Sequence, residues 1–204
     1  MERIDFPLWE NAKKSKLKDV IFFSVVGFLL ALMITFIVLN TFVFINIEVS
    51  GESMMHTLQS GDVLVANKNK KPQVGDVVVI SGVKDYLIIK RVIAIGDDDG
   101  TEVMITNGAV FVDGEKLVED YDFASIIDTW YSAYWQLEKD EIFYLGDNRQ
   151  NSQDARGNGP CKMENVIGVV DDWAIRNRGL IKAIYFIPMQ LAKLFGSGCG
   201  GNAK

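Results

Sequence analysis

Cysteine and histidine are the scarce residues of this chain: its 204 residues hold two of the first and one of the second. Cys161 and Cys199 are too few and too far apart for a disulfide scaffold or a zinc knuckle. With His56 as the only imidazole, a zinc site has too few protein ligands to draw on, so neither a metal nor another cofactor is expected. An excess of positive charge is missing as well. The net charge of −6 argues against a nucleic-acid partner. Charge of either sign is absent from Val20 to Ile47.

That uncharged stretch, "VIFFSVVGFLLALMITFIVLNTFVFI" and two further residues, is mostly large aliphatics and phenylalanine. A bilayer core of about 30 Å needs roughly 20 apolar residues in helix, so the run is long enough to span with room for tilt. A signal-peptide core runs only about 7–15 residues, and no small-x-small cleavage site follows this one. The stretch therefore reads as a retained anchor. Lys13, Lys14, Lys16 and Lys18 precede it; Glu48 and Glu52 follow it, with no Lys or Arg before Lys68. This lysine excess favours a cytoplasmic N-terminus and places the remainder across the membrane.

Beyond the span, short Val- and Ile-rich runs alternate with turn signals: "DVLVAN", "VVVISG", "YLIIKRVIAIGDDDG", "EVMITNG", "AVFVDGEKL", "IFYLGDN" and "VIGVVDDWAI". This is the pattern of antiparallel strands joined by tight turns, and Asn-Gly and Asp-Gly in "ITNGAVFVDGEKL" suit hairpins. Helical periodicity is weak, with one candidate piece around Ile126–Tyr134. The apolar stretch "LIKAIYFIPMQLAKLF" is short for a span and reads as an edge strand followed by an interfacial or packing helix. The remaining chain is long enough for one buried core.

Three stretches could carry chemistry. In "SGESMMHTL", Ser53 follows Gly51, which permits unusual backbone geometry. An activated serine needs a base within hydrogen-bond reach. His56 lies in a turn with no Asp in an obvious orienting position, which favours a bystander. In "YLIIKRVIAI" alternation sets Lys90 on one face with Ile88, Val92 and Ala94. Burial would pull its amine toward neutrality and make it a base. From spacing alone, an ordinary lysine reaching water at a strand edge is the favoured reading. In "LGDNRQNSQDARGNGP", Asp147, Arg149, Asp154 and Arg156 alternate in sign and could brace a loop that displays Ser152.

Taken together, these stretches resemble the bacterial type I signal peptidases, membrane-bound serine/lysine proteases that remove signal peptides from exported proteins. "SGESMMHTL" resembles the family's serine box, roughly S-M-x-P-T-L. "GDVVVI" and "IKRVIAIGDD" resemble its next two boxes, and "TNGAVFVDGEKLVEDY" the following hairpin. "GDNRQNSQDAR" resembles the last box, G-D-N-R-x-x-S-x-D-x-R, at every fixed position. The resemblance overturns the surface reading of Lys90. It implies Ser53 as nucleophile, Lys90 as general base and Ser152 as the group orienting the amine. Asp147, Arg149, Asp154 and Arg156 would support the site, with Asp154 and Arg156 as an ion pair. Met54, Leu58, Ile88 and Ile89 would supply pockets for small residues. His56 replaces the family's usual proline.

The implied fold is mostly β: one N-terminal transmembrane helix, then an extracytoplasmic antiparallel β domain of the signal-peptidase type. Its expected parts are a cytoplasmic tail (1–19), the anchor (20–47), the catalytic domain (48–195) and a disordered tail (196–204). The implied activity is cleavage of signal peptides after small-x-small motifs by a Ser/Lys dyad at the bacterial plasma membrane. Precursor proteins, the lipid bilayer and the protein-export channel are the implied partners. Two rivals stand beside it: a non-catalytic signal-peptide-binding module on the same fold, and a self-cleaving relative of the repressor-type peptidases.

Overall fold

A computed structural model describes residues 8–81, 86–119, 128–185 and 202–203. The chain divides into two units, Met1–Val43 and Phe44–Lys204. The first is a helix, α1 (Leu8–Val38), whose last turn, Leu39–Val43, widens to π-helical bonding. No proline interrupts it. Within Lys16–Val43 the most apolar 18 residues reach a mean hydropathy of 2.8, and the 28 residues extend about 42 Å at the helical rise. Phe22, Phe23, Phe28, Leu29 and Phe36 are exposed around it, so the helix has no single apolar stripe and is suited to lipid on every side. Asn40 and Thr41 return their polar groups to the carbonyls of Phe36 and Ile37, which suits an apolar surround.

The second unit holds two antiparallel sheets. The larger is built from β1 (Phe44–Val49), β2 (Val63–Asn67), β3 (Val77–Ser81), β4 (Leu87–Ile95), β9 (Glu141–Leu145), β10 (Cys161–Lys162) and β11 (Val166–Val170). Their order is β10-β9-β4-β3-β11-β2-β1, and Asn202–Ala203 pairs in parallel at the β1 edge. The rest of the tail lies outside the described residues. The smaller sheet runs β7 (Glu115–Lys116), β6 (Ala109–Val112), β5 (Thr101–Thr106), β8 (Ala133–Leu137). Its hairpin turns stand where the turn dipeptides are: Asn107 and Gly108 have φ of 51° and 76°, Asp113 and Gly114 50° and 80°. Positive φ at both central residues matches the twist of the flanking strands.

Burial follows the strand period. In β3, Val78 and Ile80 enter a first core with Val92, Phe143, Val103 and Ile105, which joins the two sheets. Val77 and Val79 enter a second core with Ile47, Leu64 and Ile89. A strand buried on both faces reads as an unbroken apolar run, as "VVVI" does. Each fully buried Val, Leu or Ile contributes roughly 1.5–3 kcal/mol. In β5 only one face is buried: Val103 and Ile105 point in, Glu102 and Met104 out.

Three segments differ from the sequence reading. Residues 44–47, part of the uncharged run, are strand rather than helix, because Ile47 is core of the second unit. Residues 178–185 are helical where an edge strand was expected: Ile181 and Tyr185, four apart, both turn into the second core. The candidate helix around Ile126–Tyr134 ends in β8, and residues 120–127 lie outside the described residues.

Candidate active site

The loop from β1 to β2 presents Ser53 by burying its neighbours. Met54 and Leu58, four residues apart, are 2% and 0% exposed in the second core. A backbone bond from Leu58 N to Met54 O (2.8 Å) closes the turn between them. Ser53 is left half-buried and His56 exposed. Gly51 has φ +96°, a conformation L side chains rarely adopt, so the approach to Ser53 depends on glycine.

Lys90 sits mid-strand in β4, opposite Val78, and shares the face of Ile88 and Val92. Its side chain is 1% exposed. Its Nζ lies 2.8 Å from Ser53 Oγ and donates to the carbonyl of Ile89 at 3.0 Å. Burial pulls the amine from its ordinary 10.5 to about 8, against the opposing charges of Asp154 and then Asp147. A dry amine penalises its own charged form, and that is the requirement for a lysine acting as base near neutrality.

The segment after β9 closes over this pair. Asn148 N donates to the carbonyl of Ser53 (3.0 Å), and Asn148 Nδ2 to that of Glu52 (3.0 Å). Gly146 leaves the space this needs: a Cβ there would lie 2.4 Å from the Ser53 carbonyl oxygen and 2.3 Å from Ser152 Oγ. Ser152 Oγ is buried and makes no hydrogen bond among the described residues. It also lines a cavity of about 580 Å³, with Trp130, Tyr131, Arg149, Arg156 and Gly157 among its walls.

The loop's charges are all engaged. Asp154 Oδ2 accepts from Gly146 N (3.1 Å), and Arg156 donates to both Asp154 oxygens (2.8 and 2.9 Å) and to the Arg149 carbonyl (2.6 Å). Arg149 pairs with Glu119 and donates to the carbonyl of Gly146 (3.1 Å). Asp147 takes Arg91 Nε and Nη2 in a two-point pair (2.8 and 2.6 Å) and the hydroxyl of Thr57 (2.5 Å). Arg91 Nη1 also donates to the Gly75 carbonyl (2.8 Å).

Sequence reasoning did not single out Gly146, Thr57, Arg91, Asn148 or Glu119. Arg91 follows the lysine in "IKRV", and Thr57 and Gly146 stand inside the quoted boxes, so their signal was present. Asn148 stands in the last box and Glu119 in the quoted hairpin "TNGAVFVDGEKLVEDY". Of the expected pocket residues, Met54, Leu58 and Ile89 pack in the second core and Ile88 in the first.

The structure thus brings a hydroxyl to hydrogen-bond distance from a buried amine, enclosed by a loop of paired charges on an antiparallel β scaffold. The chain belongs to the family described as signal peptidase, peptidase S26, which matches residues 21–173. It is 34% identical over 174 residues to signal peptidase I P of Bacillus subtilis subsp. natto, covering 78% of this chain and 90% of that protein. It is 33% identical over 150 residues to signal peptidase I of Bacillus caldolyticus (65% and 80%). It is 32% identical over 165 residues to probable signal peptidase I-1 of Synechocystis sp. (74% and 79%). The type I signal peptidase resemblance drawn from the boxes is borne out.

Proposed function

We propose that this protein is a membrane-anchored endopeptidase that cleaves N-terminal signal peptides from exported precursors after small-x-small motifs, using Ser53 and Lys90 as a dyad. The observation that carries this is the 2.8 Å approach of Lys90 Nζ to Ser53 Oγ with the amine sealed from water.

In this mechanism the neutral amine accepts the Ser53 proton as Oγ attacks the scissile carbonyl. The carbonyl oxygen becomes an oxyanion, held by backbone N–H groups that include that of Ser53. The resulting ammonium needs one more acceptor than the free amine, and Ser152 Oγ is a buried oxygen with an unused acceptor position. Lys90 returns the proton to the leaving amine, and water, activated by the same lysine, releases the acyl-enzyme. Met54, Leu58, Ile88 and Ile89, being packed, would form the floor of the acyl-side groove rather than its open wall. An extended substrate segment would pair with strand edges there.

The lysines before the span favour a cytoplasmic N-terminus and an extracytoplasmic catalytic unit in the bacterial plasma membrane. Signal-peptide precursors, the bilayer and the export channel are the proposed partners; no cofactor or nucleic acid enters.

The test is cleavage of a precursor with alanine at −1 and −3 by full-length protein in detergent. Ser53→Ala and Lys90→Ala should each lower kcat by at least about 10⁴-fold. Wild-type-like cleavage by either variant rejects the dyad, and a wild-type chain that binds the precursor without cutting it favours a binding module. For the wild type, kcat/KM should climb about tenfold per pH unit below pH 8 and level off above it, since only the uncharged amine accepts the proton.

A further inference from the structure

The nucleophile's loop is fastened to the rest of the site at two places. One is the Asn148 amide on the Ser53 carbonyl. The other lies four residues on, where Thr57 Oγ1 donates to Asp147 Oδ2 at 2.5 Å. Asp147 is 2% exposed and is itself held by two nitrogens of Arg91, the residue after Lys90 on β4. A hydrogen bond from a neutral hydroxyl to a buried carboxylate is short and strong. Thr57 and Ser53 flank the buried Met54, so the loop between them cannot pivot freely. Asp147 therefore ties together the serine loop, the lysine strand and the segment carrying Ser152.

We infer that Thr57 is a positioning residue for the reaction: its hydroxyl, through the Asp147–Arg91 pair, fixes the serine loop so that Ser53 Oγ stays within reach of Lys90 Nζ. This goes beyond the proposed dyad but rests on it. The dyad bond is made by two side chains, one on a strand fixed by its neighbours and one on a loop. The strand cannot follow the loop, so a shift of the loop lengthens the bond directly. Misplacing a nucleophile by about 1 Å can lower the rate on the order of 100-fold without altering substrate contacts elsewhere. The effect should fall on kcat, with KM little changed.

The variants are Thr57→Val, which keeps the branched shape and removes the hydroxyl, and Thr57→Ser, which keeps the hydroxyl and removes the methyl. Both are compared with wild type and Ser53→Ala in the precursor assay, with thermal melts alongside. Thr57→Val should lower kcat about 10- to 100-fold with KM within about twofold. Thr57→Ser should retain kcat within about threefold. A Thr57→Val enzyme with wild-type kcat overturns the inference. Equal losses in both variants overturn it too, since packing would then be the cause. If Thr57→Val fails to melt cooperatively, Thr57→Ser alone decides, by keeping or losing kcat. Ser53→Ala separates the two claims: if it cleaves, the dyad fails; if it is inactive while Thr57→Val is normal, only the role of Thr57 fails.

Discussion

Two groups of ion pairs in the second unit differ in their surroundings. Around Ser53 and Lys90, Arg91–Asp147 has side-chain exposures of 8% and 1%, and Arg156–Asp154 of 16% and 0%. In the turns between β4 and β5 and between β8 and β9, Lys139–Asp98 has 63% and 80%. The cation is arginine in the first place and lysine in the second, and access to water differs between them. Exposed charges are screened and hydrated whether paired or not, whereas buried ones must be satisfied by protein. Burial pulls the Lys90 amine toward its uncharged form, and each nearby carboxylate works against that. Asp147 and Asp154 pull the Lys90 amine up, and each is held by its own arginine.

The largest effect should come from breaking a buried pair. Asp147→Asn leaves the Arg91 guanidinium without its carboxylate and should destabilise the second unit by about 3 kcal/mol or more. Thermal melts of the full chain at pH 7 would read this as a fall in Tm on the order of 10 °C. A melt within about 1 °C of wild type would show the buried pair to be no more consequential than an exposed one.

Next is the close approach at Gly146. Gly146→Ala sets a methyl group 2.3 Å from Ser152 Oγ and 2.4 Å from the Ser53 carbonyl oxygen. The loops must separate, and kcat/KM should fall at least about 100-fold. Neither distance is readable from the sequence, although Gly146 opens the "GDNRQNSQDAR" box. The motif made visible which segments matter; it did not show where their charges go. Asp147 and Arg149 stand in a loop of alternating charge, yet their partners, Arg91 and Glu119, are 56 and 30 residues away. The Arg91 pairing is set by strand order, through β4 lying beside β9. The hairpins of the small sheet were readable for the opposite reason: Asn107-Gly108 and Asp113-Gly114 dictate their turns locally. The end of the span was not, because a lipid-facing helix and a core strand such as Ile45–Ile47 are equally apolar.

A third effect has the opposite sign. Lys90 is held in the folded state at about 8 and, unfolded, at its ordinary 10.5. The unfolded chain therefore binds the proton more tightly, and the wild type loses stability at any pH below 8. That penalty fades as pH rises from 8 to 10.5. Lys90→Met, similar in length and apolar, should be inactive yet more stable than wild type by on the order of 2 kcal/mol at pH 7. The gain should shrink in melts at pH 10. A less stable Met variant at pH 7 would mean that the amine's bonds to Ser53 and Ile89 outweigh its desolvation.

The smallest effect belongs to the exposed pair. Lys139 Nζ and Asp98 Oδ1 are 2.5 Å apart, closer than Arg91 and Asp147 at 2.6 Å, so distance alone would rank this the stronger contact. Exposure reverses the ranking: both ends remain hydrated, salt screens their attraction, and ordering two flexible side chains offsets most of what is left. Lys139→Ala should change stability by less than about 0.5 kcal/mol and leave precursor cleavage unchanged. Melts at low and high salt give the sharper reading, because whatever the pair contributes should vanish at high ionic strength while the Arg91–Asp147 contribution persists. A salt-insensitive loss above about 1 kcal/mol in Lys139→Ala would show that desolvation does not separate the two regions.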